Sequence, residues 1–143
     1  MDRKIKMGMV GGGRDAFIGP VHRMAAQMDN KIELVAGAFS STPEKSRLSG
    51  RDLLLAENRI YDDYIQMFQR EKELPEGERI DFVSIVTPNN SHYPIAKEAL
   101  LSGFHVVCDK PMTMNLDEAV ALNNEVNDSG LIFCLTHNYT GYP

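Results

Sequence analysis

The sequence has little of what a disulfide scaffold, a membrane protein or a nucleic-acid-binding protein requires. Its only cysteines are Cys108 and Cys134, without Cys-x-x-Cys spacing, so we expect neither a disulfide framework nor a metal site. Both lie in apolar runs, HVVCD and LIFCL, and are predicted to be buried. No apolar run is long enough to cross a bilayer. The net charge of −5 argues against general binding to nucleic-acid phosphates.

The amino terminus lacks the apolar segment of a signal peptide, because Asp2, Arg3 and Lys4 follow Met1 directly. We therefore expect a cytoplasmic protein. The length suits one domain, and we expect residues 1–143 to form it. The last segment, 138–143, directly follows a predicted strand with no further helix. This arrangement favours a domain of a longer protein.

What the sequence does contain is a regular alternation of strand-like and helix-like segments. Proline suits the first position of a helix, and a proline inside a helix costs about 3 kcal/mol, so we expect the first helix to begin at Pro20. The alternation predicts an α/β fold, a doubly wound parallel sheet of the Rossmann type. The predicted strands are 4–10, 32–39, 80–87, 104–108 and 131–136, and the predicted helices are 20–28, 43–58 capped by Thr42, 62–73, 91–102 and 116–128 capped by Asn115.

A glycine-rich loop joins the first predicted strand to the first helix. In a dinucleotide-binding turn, Gly11 would form the tight turn and Gly13 would let the backbone approach a pyrophosphate. The third small residue, which lets the helix pack on the strand, is either Ala16 or Gly19, and the helix start favours Gly19. The positive end of the helix would then face the anion. S-adenosylmethionine enzymes also use such turns, so the loop alone does not identify the ligand.

The end of the second predicted strand carries Ser40 and Ser41 where NAD-binding domains usually have an acidic residue. Without a carboxylate, the 2′-phosphate of NADP would not be repelled, and Arg14 or Arg47 could pair with it. This favours NADP weakly over NAD. The alternative, that the hydroxyls only cap the next helix, remains open.

Two further strand ends carry unusual polar segments, TPNNSH at 87–92 and DKP at 109–111. Ligands of open α/β sheets bind at the carboxyl ends of the strands. We therefore expect both segments to line the ligand site. Pro111 favours an extended conformation at Lys110, which directs the ammonium group out of the strand end.

Together these features resemble the glucose-fructose oxidoreductase / inositol dehydrogenase / rhizopine catabolism (Gfo/Idh/MocA) family. The family's usual Glu-Lys-Pro motif is replaced conservatively by Asp-Lys-Pro here. The resemblance covers nearly the whole chain and rests on several segments in order. These are the glycine loop with His22, the turn Thr87-Pro88-Asn89 with His92, the motif Asp109-Lys110-Pro111, the segment LDEAVAL at 116–122 and Asn138.

The resemblance implies a nicotinamide cofactor, NAD(P), and a sugar-like or polyol substrate. It implies that Lys110 positions the nicotinamide ribose and the substrate hydroxyl, as a catalytic residue. The family's proton-accepting histidine belongs to a second domain, which also tends to form the homo-oligomer. The cofactor-binding residues expected from the loop and the resemblance are Gly11, Gly13, Arg14, Gly19, Ser40, Ser41, Thr87, Pro88, Asn89, His92, Asp109, Lys110, Pro111 and Asn138.

Several other residues are predicted to be structural. His22 is expected to pack, whereas His92 either approaches the ligand or only begins its helix. We expect the charged stretch 69–79 to be a solvated face. The methionines expected to fill the core are Met7, Met9, Met24 and Met28.

Two other functions remain as alternatives. The same fold serves regulators that bind a dinucleotide without turnover, although such a sensor would not need Lys110. A methyltransferase would require an acidic residue at the end of the second strand, which is absent, and gives no role to Asp109-Lys110-Pro111. It is the least favoured of the three.

Overall fold

A five-stranded parallel sheet organises the protein, in a computed structural model that describes residues 3–141. The strand order is β2-β1-β3-β4-β5, and every pair is parallel. The α/β class and doubly wound sheet predicted from the sequence are therefore confirmed. The strands are β1 (Ile5–Gly11), β2 (Ile32–Ala38), β3 (Phe82–Val86), β4 (His105–Asp109) and β5 (Phe133–Thr136).

Helices cover both faces of this sheet. Short 3₁₀ turns occur at Glu57–Arg59, Asn89–Ser91 and Asn138–Gly141. In the described part of the chain, every helix is too short or too polar to span a lipid bilayer. The α-helices are α1 (Ile18–Gln27), α2 (Pro43–Asp52), α3 (Tyr64–Glu73), α4 (His92–Leu101) and α5 (Leu116–Ser129).

The core has two parts because successive strand residues point to opposite faces of the sheet. Val83 and Ile85 of β3 face the larger cluster, which includes Ile95 of α4. Phe82 and Val86 face the smaller cluster, which is closed by α1 and the segment after α2. The sheet is thereby held between two apolar layers, which fixes the carboxyl ends of its strands relative to one another.

Helix α1 begins two residues before the predicted start, at Ile18, so Pro20 is its third residue. The prediction that a helix beginning before Pro20 would lose stability is wrong. The first N–H groups of a helix have no intrahelical carbonyl partner, so proline in the first turn removes no hydrogen bond.

Helix α2 ends at Asp52 rather than near Asn58. Leu54 adopts a left-handed conformation with φ of 58°. The chain turns there so that Leu53 and Leu55 pack against the smaller core cluster. Burial of these leucines therefore ends the helix, although the local sequence favours its continuation.

Local signals at other helix ends are confirmed. The Asn115 side chain accepts a hydrogen bond of 2.9 Å from the Glu118 N–H, as a helix N-cap. Gly130 ends α5 in the left-handed conformation with φ of 66°. These ends were predictable because the capping partner is only three or four residues away.

The expectations that Cys134, Met24 and Met28 are buried are wrong. Cys108 is buried as predicted, but Cys134 is exposed on the edge strand β5. Met7 and Met9 belong to the core, whereas Met24 and Met28 on α1 are 68% and 84% exposed. A residue's apolar character does not fix which face of its element is covered.

The charged stretch 69–79 is not entirely a solvated face, because Glu71 is completely buried. Its carboxylate accepts two hydrogen bonds of 2.7 Å from Arg59, one of 2.8 Å from the Tyr61 hydroxyl and one of 3.1 Å from the Ile80 N–H. Burial of this carboxylate is compensated by four donors. The network ties α3 to the beginning of β3.

Candidate functional site

The glycine loop is a tightly packed turn at the carboxyl end of β1. Gly11 and Gly12 both have positive φ, 83° and 71°. A Cβ atom on Gly19 would lie 2.7 Å from the carbonyl oxygen of Gly12, and one on Gly11 would lie 2.9 Å from that of Val86. Gly19 therefore performs the packing role expected of the third glycine, bringing the start of α1 against the turn.

Gly13 also has a packing reason to be glycine. A Cβ atom there would lie 2.6 Å from the Ser49 hydroxyl of α2 and 2.8 Å from the carbonyl oxygen of Phe39. The N–H of Gly13 donates to that carbonyl at 3.3 Å, and the N–H of Arg14 donates to Ser49 at 3.0 Å. Gly13 thus lets the loop approach β2 and α2.

The N–H groups of Gly13 and Arg14 are already hydrogen-bonded within the protein, so the N–H groups that could bind an anion are those of the first turn of α1. Helix geometry leaves these N–H groups without intrahelical carbonyls and gives this end a partial positive charge. The Arg23 guanidinium donates to the Gly12 carbonyl at 2.8 Å and adds positive charge close to the turn. The loop therefore fits a phosphate group at the start of α1, with no side chain on three successive glycines.

At the end of β2, Ser40 is half-buried and Ser41 is exposed. The Ser40 hydroxyl accepts a hydrogen bond of 3.1 Å from the Thr42 N–H, so it contributes to the turn into α2. Arg14 forms an ion pair with Asp52, and Arg47 forms one with Asp62. The two arginines considered for a 2′-phosphate are thus engaged with carboxylates on the protein surface.

At the end of β3, the segment Thr87-Pro88-Asn89 leads directly into α4. Pro88 and Asn89 are exposed at the sheet edge, whereas His92 is completely buried. The Ser91 hydroxyl lies 2.8 Å from that of Thr87. His92 begins α4, which is one of the two alternatives predicted for it. Its ring is buried and is not exposed at the carboxyl ends of the strands.

At the end of β4, Asp109 is half-buried and Lys110 is exposed. The Thr136 hydroxyl of β5 donates to the Asp109 carboxylate at 3.0 Å. The hydrogen bond from Thr136 fixes Asp109 to the neighbouring strand, and Lys110 follows Asp109 in the chain. The peptide bond between Lys110 and Pro111 is cis.

His22 on α1 lies below these strand ends. Its Nδ1 atom is 3.0 Å from the Ser84 hydroxyl of β3, and its Nε2 atom is 3.9 Å from the Asp109 carboxylate. The second distance exceeds that of a hydrogen bond. Burial lowers the pKa of His22, against the opposing effect of the Asp109 charge. His22 packs as expected, with a polar partner on each side.

A cavity of about 650 Å³ runs between α1 and one face of the sheet, from Phe82 at the beginning of β3 to Lys110 after the end of β4. Lys110, Asn138 and Asp109 line it, together with His22 and Ser84. Its apolar wall includes Phe17 at the start of α1, which is 86% exposed. The cavity therefore brings together one ammonium group, one carboxylate and one amide on the same side of the sheet as the start of α1.

Sequence reasoning missed several residues that shape this edge. Ser84 and Thr136 lie inside otherwise apolar strands and were not singled out. Ser49 lies on α2, and only its contact with the glycine loop shows its importance. A polar residue in an otherwise apolar strand was the available signal for Ser84 and Thr136.

The chain matches, over residues 5–137, the family described as "Oxidoreductase family, NAD-binding Rossmann fold" (GFO_IDH_MocA). The chain belongs to this family. The resemblance noted in the sequence is thereby confirmed, and the fold is the family's NAD-binding domain.

Individual relatives agree with this assignment. The oxidoreductase YfiI of Bacillus subtilis is 36% identical over 99% of this chain and 36% of its own length. An oxidoreductase from Sinorhizobium meliloti has 53% identity and a TM-score of 0.92, over 99% of this chain and 39% of its own.

An inositol dehydrogenase homolog from Azotobacter vinelandii, complexed with NADH and myo-inositol, has 40% identity and a TM-score of 0.92. The match covers 99% of this chain and 37% of that structure. The chain thus spans well under half the length of the relatives it matches.

Proposed function

We propose that this chain is the cofactor-binding domain of an NAD(P)-dependent oxidoreductase acting on a sugar-like or polyol substrate. The observation that supports the proposal is that Lys110 and Asn138 line one cavity with Phe17 and Ile18 at the start of α1, the helix that follows the glycine turn. The Azotobacter relative, which binds NADH and myo-inositol, supports the substrate class. When bound, the nicotinamide would supply the hydride chemistry.

The carboxyl edge of the sheet divides into three binding regions in this proposal. The start of α1 and the glycine turn hold the pyrophosphate, through Gly11, Gly13, Arg14 and Gly19. The end of β2 holds the adenosine ribose, through Ser40 and Ser41. The ends of the remaining strands line the nicotinamide half, through Thr87, Pro88, Asn89, Asp109, Lys110, Pro111 and Asn138, with His92 acting from behind.

Lys110 has the central role in this proposal. Its ammonium group can donate hydrogen bonds to the nicotinamide ribose and to a substrate hydroxyl. A positive charge beside that hydroxyl favours loss of its proton when the alcohol is oxidised. The proton acceptor itself would come from a second domain, which would also provide the homo-oligomer contacts. These assignments and a cytoplasmic location remain predictions.

We infer that the end of β2 accepts NADP as well as NAD. It presents the hydroxyls of Ser40 and Ser41 and no carboxylate. Arg14 is bound to Asp52, but both side chains are about half exposed, so a phosphate could displace that pair at little cost. The weak preference for NADP expected from the sequence rests on this exchange.

Fluorescence titrations with NADH and NADPH would test the proposal. We expect both dinucleotides to bind to the wild-type chain. Lys110→Met should weaken binding about tenfold or more, because a hydrogen bond from a charged group contributes about 1.5–3 kcal/mol. Lys97→Met is the matched control, since Lys97 pairs with Glu125 between α4 and α5. The proposal would be overturned if neither NADH nor NADPH bound to the wild-type chain.

A further inference from the structure

His92 connects the two polar turns of the site from inside the protein. Its Nδ1 atom lies 2.7 Å from the carbonyl oxygen of Pro111, and its Nε2 atom lies 2.9 Å from that of Thr87. The side chain is completely buried. One imidazole ring therefore contacts the turn after β3 and the turn after β4 at once.

The sheet itself does not hold these two turns together. The pairing of β3 with β4 ends at Ile85 and Cys108. Thr87 and Pro111 lie two and three residues beyond that last pair. Their separation therefore depends on contacts outside the ladder, and the ring of His92 lies between their carbonyl groups.

The chemistry of the ring suits this position. A carbonyl oxygen accepts and never donates, so a contact is a hydrogen bond only where the ring nitrogen carries a hydrogen; a neutral imidazole has one N–H, which can serve either carbonyl, and an imidazolium has two. Unpaired carbonyl groups in the interior are costly, and a donor is worth most where water is excluded. The backbone of α4, packed on β3 and β4, gives the ring a rigid support.

We propose that His92 is a positioning residue for Lys110, acting through the Pro111 carbonyl and tying the Lys110 turn to the Thr87 turn. This inference rests on the proposed function, because it assigns His92 a part in cofactor binding without contact with the cofactor. The two turns form one rigid edge. Loss of the imidazole ring would let the turn that contains Lys110 move away from Thr87 and Asn89.

The test compares His92→Leu, which has no donors, with His92→Gln, which restores an amide donor. NADH affinity is measured by fluorescence, and amide hydrogen exchange is measured for the non-proline residues of 87–91 and 110–112. We expect His92→Leu to weaken NADH binding about tenfold and to accelerate exchange in both turns together. His92→Gln should recover part of both effects, which a purely space-filling role would not produce.

His105→Leu is the matched control. His105 also bonds to backbone, because its Nδ1 accepts from the Ile132 N–H at 3.0 Å, but it lies at the opposite end of β4. This variant should leave NADH affinity and exchange in the two turns unchanged. If His92→Leu behaves like His105→Leu, or if glutamine rescues nothing, the proposal is overturned.

Two further readouts keep the outcomes distinct. If wild-type protein does not bind NADH, the proposed function fails, and the exchange data alone decide whether His92 joins the turns. If His92→Leu does not fold, ¹⁵N–¹³C NMR of the wild-type ring decides instead. We expect a ring N–H, protected from solvent, coupled to the carbonyl carbon of Thr87 or Pro111. Rapid exchange of the ring hydrogens would overturn the link.

Discussion

The imidazole of His22 lies between the Ser84 hydroxyl, 3.0 Å from Nδ1, and the Asp109 carboxylate, 3.9 Å from Nε2. The ring is therefore placed against the only carboxylate lining the cavity among the described residues. Burial disfavours its charged form more than Asp109 favours it. Protonation of His22 thus acts against folding.

The pH dependence of stability follows from that sign. Because the folded protein lowers the pKa of His22 below its ordinary value of 6.5, the unfolded chain binds this proton more readily. The contribution of neutral His22 to the free energy of unfolding is complete above pH 6.5. It is lost as the pH falls through the lowered pKa that His22 has in the folded protein. Urea unfolding between pH 8 and pH 5 should show a steeper acid loss in the wild type than in His22→Asn. Ser84→Ala, which keeps the imidazole buried, should retain the wild-type dependence.

Substitution of Gly19 should disturb both the fold and the ligand site. In Gly19→Ala the new methyl group would meet backbone atoms of Gly12, which cannot rotate away. We expect a loss of about 1–3 kcal/mol in the free energy of unfolding, as for other overpacked sites, and weaker NADH binding. Gly141→Ala is the control, since among residues 3–141, its chain neighbours aside, no atom lies within 4 Å of the added methyl group. Equal effects of the two variants would contradict the packing role.

Removal of the buried charge at Glu71 should be costly. Glu71→Gln leaves Arg59, only 17% exposed, without its ionic partner, and loss of one member of a buried pair costs about 3–5 kcal/mol. Glu57→Gln removes an exposed partner of Arg51 and should cost far less, because solvent screens a surface ion pair. Urea unfolding would measure both, and similar losses would show that the Glu71 pair contributes no more than a surface pair.

The two cysteines should differ in reactivity. Burial raises the pKa of Cys108 to about 12, and the thiolate is the nucleophile in thiol chemistry. Cys134 is exposed on β5. With Ellman's reagent, we expect one thiol to react in the folded protein and both to react in urea. Cys134→Ser should abolish the fast reaction, and two equally fast thiols in the folded wild type would refute the burial of Cys108.

A carboxylate at the end of β2 should change the choice of cofactor. Ser40→Asp keeps an acceptor for the Thr42 N–H but places negative charge near the expected adenosine ribose. NADPH affinity should fall relative to NADH affinity in paired titrations. Ser40→Ala separates charge from loss of the hydroxyl, and equal loss for both cofactors in Ser40→Asp would argue against a ribose site here.

The sheet and most element starts could be predicted because their causes are local. Alternation of apolar runs marks the strands, and Asn115 and Gly130 cap a helix within a few residues of their partners. The end of α2 could not be predicted in this way. It is set by burial of Leu53 and Leu55 against residues distant in the sequence.

The candidate site shows the same division. Lys110 and the turn beginning at Thr87 could be placed at a sheet edge, because parallel strands end together. The contacts of His22 with Ser84 and of Asp109 with Thr136 join elements far apart in the sequence. A single sequence gives no signal for such pairs.

Because all strands are parallel, the chain leaves every strand at the carboxyl end of the sheet and enters every strand at the amino end. The turn in which Glu78 donates to Pro75 lies before β3, whereas the turn at Thr87 lies after it. The length of a five-residue strand, about 17 Å, separates them. A peptide tag or surface-attachment sequence inserted near Gly77, where the surroundings are open, would therefore immobilise the domain with its ligand edge facing solution.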